Sequence, residues 1–174
     1  MTDAFMAEHI ELNPVTHLTV GTVGPPGMRV FYLQGSKGTD LVTLIIEKQQ
    51  AAMLVSSLES LLEELSKKHP GDVEHEPAWT DMRLREPIDP LFRVGNIGLG
   101  YNDETARIVI VTYEMVDEDE EPNVVSFWSS RIQAHSLVHH SQDVISEGRP
   151  ICGNCRQPMD PEGHFCPNRN GHAK

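Results

Sequence analysis

The chain has 174 residues and a formal net charge of −12. This length fits one main domain with a small appendage. The acidity disfavours nucleic acid as a partner, because a body of this charge repels phosphate backbones. No apolar run approaches the length of a membrane span, and the N-terminus lacks a signal-peptide pattern. We therefore expect a cytoplasmic protein without membrane contact.

The first part of the body is predicted to be a three-stranded meander. Residues 17–24 are rich in β-branched side chains, residues 29–34 alternate, and residues 41–46 are continuously apolar. These patterns are typical of strands. Turns are predicted at Pro25-Pro26-Gly27 and over residues 35–38, where glycine and proline concentrate.

Glycines recur at positions 21, 24 and 27, which resembles a phosphate-binding loop. Such a loop precedes a helix N-terminus and uses backbone amides, whereas a strand follows here and Pro25-Pro26 lacks amide donors. We therefore interpret this segment as a hairpin turn. Residues 1–15 are polar and are predicted to be a loosely held start.

A first helix follows the meander. Apolar side chains recur there with helical period, at Ala51, Leu54, Val55, Leu58, Leu61, Leu62 and Leu65. Lys67 and Lys68 complement the C-terminal end of the helix dipole, and Pro70-Gly71 ends the helix. The neighbouring pair Glu47-Lys48 is interpreted as capping and surface residues rather than as an acid–base pair, because adjacent strand residues face opposite sides.

The second part of the body repeats this order. Strands are predicted over residues 91–101, 106–113 and 124–128, and a second helix runs from Arg131 to Gly148. The acidic run from Asp117 to Glu121 is interpreted as a solvated loop. His135 and His139, spaced i and i+4 on the second helix, are interpreted as an exposed pair, because they point away from its apolar stripe.

An offset of 83 residues aligns the two parts. The identical pairs are Val42 and Val125, Gln50 and Gln133, Ala51 and Ala134, Leu54 and Leu137, and Val55 and Val138. We therefore predict an α+β fold built from a duplicated unit of three antiparallel strands followed by one helix. The units are arranged about a pseudo-twofold axis with both helices on one side of the strands. Repeat one covers residues 16–68, a connector residues 69–90, and repeat two residues 91–148.

The C-terminal tail carries the clearest chemistry. Cys152, Cys155 and Cys166 are the three cysteines of the chain. A Cys-x2-Cys pair lets two thiolates reach one ion from a single turn, Cys166 adds a third sulfur, and His164 or His172 can add a nitrogen. The sequence therefore predicts one structural Zn²⁺ per chain in a zinc-knuckle tail. Four protein ligands leave no open position for a reacting water.

The tail also differs from the body in charge. Residues 149–174 sum to +2, so the remaining residues hold −14. We find no nucleophile–base arrangement in the sequence. The leading hypothesis is a non-enzymatic adaptor or regulatory protein whose tail docks on another protein of unknown identity. The alternative is an enzyme, or an enzyme accessory, that binds a small phosphorylated or nucleotide-like metabolite between the repeats. Its polar candidates are Arg29, Gln34, Lys48 and Arg93.

Four segments resemble an uncharacterised, mainly actinobacterial family of repeat proteins, the domain of unknown function 3090 family. They are Gly21-Thr22-Val23-Gly24-x-Pro26-Gly27-x-Arg29-x-Phe31-Tyr32-Leu33-Gln34, Glu47-Lys48-x-Gln50, Phe92-Arg93-Val94-Gly95, and the tail Cys152-x2-Cys155 to Asp160-Pro161-x-Gly163-His164-x-Cys166-Pro167. The resemblance implies a cytoplasmic protein with an internal repeat and no established activity. The family's tail usually ends Asn-Gly-Tyr, whereas His172 follows Gly171 here. This departure favours His164 as the fourth ligand.

Overall fold

The computed structural model describes residues 6–70, 81–147 and 155–156. Within these ranges the chain forms seven β-strands and two α-helices. In chain order they are β1 (His9–Leu12), β2 (His17–Val23), β3 (Val30–Lys37), β4 (Asp40–Ile46), α1 (Lys48–Lys68), β5 (Pro90–Asn102), β6 (Arg107–Glu114), β7 (Val124–Ser129) and α2 (Arg131–Glu147). The predicted α+β class and both predicted helices are confirmed. Neither helix is long and apolar enough to cross a membrane.

The strands form one sheet in the order β1-β7-β6-β5-β4-β3-β2. Strands β2 to β4 are an antiparallel unit, here called the first meander, and β5 to β7 are a second one, here called the second meander. The meanders join through the parallel pair β4 and β5, and β1 runs parallel to β7. Each meander is followed directly by a helix.

The two ends of the sheet lie close together. β1 and β2 stand at opposite ends of the strand order, yet only four residues separate them in the chain. Within this link, the Val15 amide donates to the Trp128 carbonyl at 2.8 Å, and the next amide, that of Thr16, donates to the Ser36 carbonyl at 2.7 Å. These carbonyls belong to β7 and β3, the second strand from each end, so adjacent residues can bond to both only if the sheet curls around its core.

The predicted loose start at residues 1–15 was wrong for residues 9–15. Leu12 and Val15 are each only 2% exposed, and β1 pairs in register with β7. The polar side chains of this segment hid the strand, because they alternate with the few apolar ones that reach the core. The strand's partner lies more than 100 residues away, so no local pattern could reveal the pairing.

The predicted turn at residues 35–38 was also wrong in part. β3 continues through Lys37, and the reversal is made at Gly38, which has a φ of 61°. Gly35 lies inside the strand. The residue there is glycine because an added Cβ would lie 2.6 Å from the Phe127 ring. The inner faces of the two meanders therefore meet at this point, with Gly35 opposite Phe127.

The helices pack against each other, α1 also beside β5 and α2 beside β2. Each helix buries one apolar stripe. The buried residues are Ala51, Leu54, Val55, Leu58, Leu62 and Leu65 in α1, and Ala134, Leu137, Val138, Ser141 and Val144 in α2. The sequence predicted this stripe because side chains three and four residues apart share one face of a helix.

Gln50 fixes the start of α1. Its side-chain oxygen accepts a hydrogen bond from the Glu47 amide at 2.8 Å, which satisfies a donor at the helix entrance. Its side-chain amide donates to the carbonyls of Val94 and Gly95 at 3.0 and 3.1 Å. One side chain thus ties the helix to β5.

Gln133 does the same for α2. Its oxygen accepts from the Ser130 amide at 2.9 Å, and its side-chain amide donates to the Val15 carbonyl at 3.2 Å. The Ser130 hydroxyl also accepts from the Gln133 amide at 3.1 Å, which completes a capping box. The second helix is thus tied to the link between β1 and β2.

Candidate functional site

A row of polar side chains lies on the outer face of the first meander. The row consists of Thr19, Gln34 and Thr43, which are paired across β2, β3 and β4, and is here called the first row. All three residues are buried, Gln34 completely. Buried polar groups need hydrogen-bond partners, and the connector after α1 supplies them.

Gln34 holds the connector by both ends of its amide. Its nitrogen donates to the Thr43 hydroxyl at 3.0 Å and to the Arg85 carbonyl at 2.9 Å, and its oxygen accepts from the Arg85 amide at 2.7 Å. The Gln34 side-chain amide thus makes with the Arg85 backbone the same pair of hydrogen bonds that a neighbouring strand would make. Gln34 therefore acts as a structural clamp across 51 residues of sequence.

Other contacts seat the same segment. The Thr19 hydroxyl donates to the Met82 carbonyl, and the Arg85 guanidinium donates to the Ser36 hydroxyl at 3.2 Å. Leu84 occupies the space above Gly21, where an added Cβ would lie 2.5 Å from its Cγ. Residues 81–85 are thus fitted closely to the first meander.

His17 lies at the edge of this covered face and is 3% exposed. Burial lowers the pKa of His17, and the positive charge of Arg85 lowers it further, while Asp81 and a hydrogen bond to the Arg83 backbone oppose the shift. His140 of α2 also faces this imidazole and lowers its pKa. A covered, neutral imidazole can stabilise a fold, but it offers a substrate little access.

Asp81 and Arg83 form an exposed pair beside His17. The Arg83 guanidinium donates to both Asp81 carboxylate oxygens, at 3.0 and 3.1 Å, and its backbone amide donates to one of them at 3.1 Å. These hydrogen bonds lower the pKa of Asp81 to about 2. Asp81 is therefore an anion that shapes the connector and is a poor proton donor near neutral pH.

The four residues suggested for metabolite binding lie in three separate places. Arg29 donates to the Val144 carbonyl at 3.2 Å and stacks on Phe31 with its guanidinium 5.1 Å from the ring centroid. Gln34 clamps the connector, as described above. Each of these two side chains is used in packing between elements.

Lys48 and Arg93 lie at the entrance of α1. Lys48 is the exposed first residue of the helix. Arg93 donates to the Glu47 carboxylate at 2.7 Å, and their side chains are 49% and 60% exposed. Glu47 is the N-cap residue of α1, which agrees with the capping role expected for it.

A groove lies between α1 and β5. Its volume is about 280 Å³, and one of its walls, Met53, is 69% exposed. The lining residues are Gln50, Met53, Leu54, Ser57, Gly95, Asn96, Ile97 and Leu99. The groove is mainly apolar and lacks charged side chains, so it suits an apolar side chain better than a phosphate.

A wide acidic concavity of about 1010 Å³ lies beside the loop between β6 and β7. Its acidic residues are Glu8, Glu114, Asp119, Glu120 and Glu121. Backbone contacts organise it, since the Glu8 amide donates to the Asn123 side chain at 2.8 Å. In the described ranges no group of three or more His, Cys, Asp or Glu is placed to hold a metal ion.

The predicted zinc ligands fall mostly outside the described residues. Cys152, His164, Cys166 and the alternative ligand His172 are not among them. Cys155 is described: it is half-buried and lies in a turn, and Arg156 after it has a φ of 58°. A backbone in this left-handed region is a feature of tight turns.

The histidine pair of α2 is exposed at both positions, His135 and His139. Partial burial lowers the pKa of His135, and the positive charge of Arg131 adds to the effect. A low pKa would suit a metal ligand, but the pair has no third ligand among the described side chains. The exposure expected for both side chains is confirmed, and the absence of a metal site there stays a prediction.

The comparison with known families is decisive for membership. A family model described as "Protein of unknown function (DUF3090)" matches residues 10–166. The chain belongs to this family. The match covers both meanders, both helices and all three cysteines, and its description assigns no activity. No curated protein and no solved structure matches the chain.

The sequence reasoning missed the buried contacts of His17, Thr19 and Arg85. Thr19 and His17 alternate with the core residues Leu18 and Val20, so their pattern is that of a strand with one polar face. A polar face is normally taken as solvated. The connector partners of Thr19 and Gln34 lie 63 and 51 residues away along the chain, so no local pattern marks these contacts.

Proposed function

We propose that this chain is a non-enzymatic interaction protein of the cytoplasm that carries one structural Zn²⁺ in its tail. The observation that carries the proposal is the turn at Cys155 and Arg156. A turn after the second cysteine of Cys-x2-Cys lets both thiolates face one ion. In such a short segment, metal binding supplies folding free energy that a small core cannot.

The proposed ligands are Cys152, Cys155, His164 and Cys166. All four positions lie within the residues that the family model matches, 10–166. Three thiolates and one imidazole fill a tetrahedral shell, so the proposed role of the metal is structural.

Zinc content tests the metal site. The purified full chain is expected to hold close to one zinc per chain by elemental mass spectrometry, and Cys155→Ser is expected to lose it. The matched control replaces His135 and His139 with asparagine, which should leave the zinc in place. Metal that survives Cys155→Ser but disappears in the control would place the site on α2 instead.

We also infer that the body arose by duplication of one strand–strand–strand–helix unit. Support comes from Gln50 and Gln133, which correspond at the offset of 83 and make equivalent hydrogen bonds. Ala51 and Ala134 follow these glutamines in the sequence, and each is at most 1% exposed. The parallel contact of β4 with β5 has a counterpart in that of β7 with β1.

The interaction role is supported by how the polar candidates are used. Arg29 and Gln34 serve packing, and the clustered His17 is covered by the connector. Affinity capture from the native host, with the full chain as bait, tests this role. A partner should be recovered by the intact chain and lost when zinc is removed by a chelator. A partner that stays bound after chelation would show that the tail is not the docking element.

A second candidate function is favoured by the groove between α1 and β5, since it lies between the two proposed repeats. A nucleotide-like base could enter it, with Asn96 at its edge. A ligand that binds only the native state raises the melting temperature by mass action. A panel of nucleotides and sugar phosphates that leaves the melting temperature unchanged would remove this candidate.

A further inference from the structure

The groove between α1 and β5 has a counterpart in the other half of the molecule, between α2 and β2, where the connector lies beside His17. At the offset of 83, Ser57 of α1 corresponds to His140 of α2. Strand pairing places Asn96 of β5 where β2 has His17. Asp81 and Arg83 interact with His17 at this position, whereas in the described residues no connector segment fills the groove at Asn96 and Ser57.

The outer faces of the meanders correspond in the same way. Gly98, Val111 and Ser126 are paired in line and are here called the second row; Ser126 is the counterpart of Thr43 in the first row. No described connector residue is hydrogen-bonded to the second row. The neighbouring row of the same face, Gly100, Val109 and Trp128, is nevertheless shielded from solvent. Val109 is 8% exposed, and the buried Trp128 Nε1 has no hydrogen-bond partner in the described ranges.

The chain has a segment of the right length and position to cover this face. Each helix ends against the hairpin of the other meander: the His69 ring lies 6.4 Å from that of Tyr101, and the Val144 carbonyl accepts from Arg29. The connector reaches Asp81 after 13 residues beyond α1, and the chain continues for 27 residues beyond α2.

The chemistry of that segment suits the surface. Residues 149–174 sum to +2, and the rest of the chain to −14, so the two attract each other. The second row and the groove are mainly apolar and contain two glycines without side chains. Ile151, Met159 and Phe165 are apolar side chains that could fill such spaces, in place of the polar contacts made by the connector.

We propose that residues 148–174 fold back into the groove between α1 and β5 and over the second row, in the place that residues 81–85 hold on the first meander. The proposal rests on the duplication inferred above and is independent of the metal. A tail seated there braces the body, and a partner protein then meets a composite surface of tail and second meander.

Site-specific photocrosslinking in the full chain tests the proposal. p-Benzoylphenylalanine is placed at Met53, an exposed wall of the groove, or at Tyr113, which is 39% exposed beside the second row. Tyr32, on the outer face of the first meander, is the matched control position. After irradiation, mass spectrometry identifies the captured peptide, and mixing with isotope-labelled chains separates capture within a chain from capture between chains.

Capture of peptides from residues 148–174 of the same chain at Met53 or Tyr113, but not at Tyr32, is the expected result. Capture of residues 71–80, capture of a second copy, or no capture at either position would overturn the proposal. Met53 keeps the test valid if the Tyr113 variant does not fold, because its side chain is 69% exposed. Zinc measured on the same samples separates the two proposals. Crosslinking without bound zinc would reject only the proposed metal site, and bound zinc without crosslinking would reject only the proposed docking of the tail.

Discussion

The outer faces of the two meanders differ in chemistry although their strands pair in the same pattern. The first row is polar and bonded to connector backbone, through Met82 and Arg85. The second row has two positions without polar side chains, Gly98 and Val111, at the places of Thr19 and Gln34. A backbone segment laid on a sheet needs hydrogen-bond partners, whereas an apolar side chain needs only space. The comparison teaches that the polar row lies on the face that the connector backbone covers, where its side chains supply the hydrogen bonds that this backbone needs.

The largest expected effect breaks the first row. Gln34→Val should lower the free energy of unfolding by about 2–4 kcal/mol, because each buried group left without a partner costs about 1–3 kcal/mol. Urea denaturation at neutral pH measures the loss. The matched substitution in the second row, Val111→Gln, should cost about 1 kcal/mol or less. Equal losses at the two positions would show that the rows do not differ as described.

The second effect concerns the two helix entrances, where the halves are alike. Gln50→Ala and Gln133→Ala should each lower the free energy of unfolding by about 1–2 kcal/mol, because each removes a capping bond and a side-chain bond to the backbone of another segment, β5 for Gln50 and the link between β1 and β2 for Gln133. Gln49→Ala, at an exposed position, is the control and should change little. A clear loss of stability at one of the two positions with little change at the other would argue against equivalent roles.

The third effect is the pH dependence of stability that His17 contributes on the covered face. The pKa of His17 is lowered from 6.5 by burial, so the unfolded chain binds a proton more readily than the folded one. Stability from this group is therefore present above pH 6.5 and is lost as the pH falls below it. His17→Asn should flatten the fall in the urea midpoint on acidification. Gln49→Asn, at an exposed position that does not titrate, is the control and should leave the slope unchanged.

The smallest effect concerns a difference between the helix entrances. Glu47 pairs with Arg93, whereas the corresponding Ser130 cannot form an ion pair. Both side chains of the pair are about half exposed, so its coupling energy should be only about 0.2–1 kcal/mol and should shrink in high salt. A double-mutant cycle with Glu47→Gln and Arg93→Gln measures it. A larger coupling that resists salt would mean that the pair is more shielded than its exposure indicates.

Regular local patterns made most of the fold predictable. The apolar stripe of α1 gave its buried residues from Ala51 to Leu65, and the hairpin at Pro25-Pro26-Gly27 was confirmed, with Gly24 and Gly27 at positive φ. Such features depend on neighbours a few residues away. The sequence therefore contains their full cause.

Features that depend on distant partners were not predictable. β1 is a strand because β7 lies beside it. The glycine at position 35 stands within a strand and not in a turn, and it has no side chain because Phe127 occupies that space. Gln34 was a candidate for metabolite binding between the repeats in the alternative hypothesis, but its side chain is bonded to Arg85. The cysteine spacing, by contrast, predicts a tetrahedral site by local geometry, and that prediction awaits the zinc measurement.

The pairing of β1 with β7 also has a consequence for how the protein is made. Leu12 leaves the ribosome well before its strand partner Phe127, which is synthesised 115 residues later. Until then β1 has no parallel neighbour, and the first meander must persist with one end of the sheet open. Pairings of such long range are slow to form and leave strand edges exposed. Among the described strands, β1 is synthesised before the others and closes the sheet last.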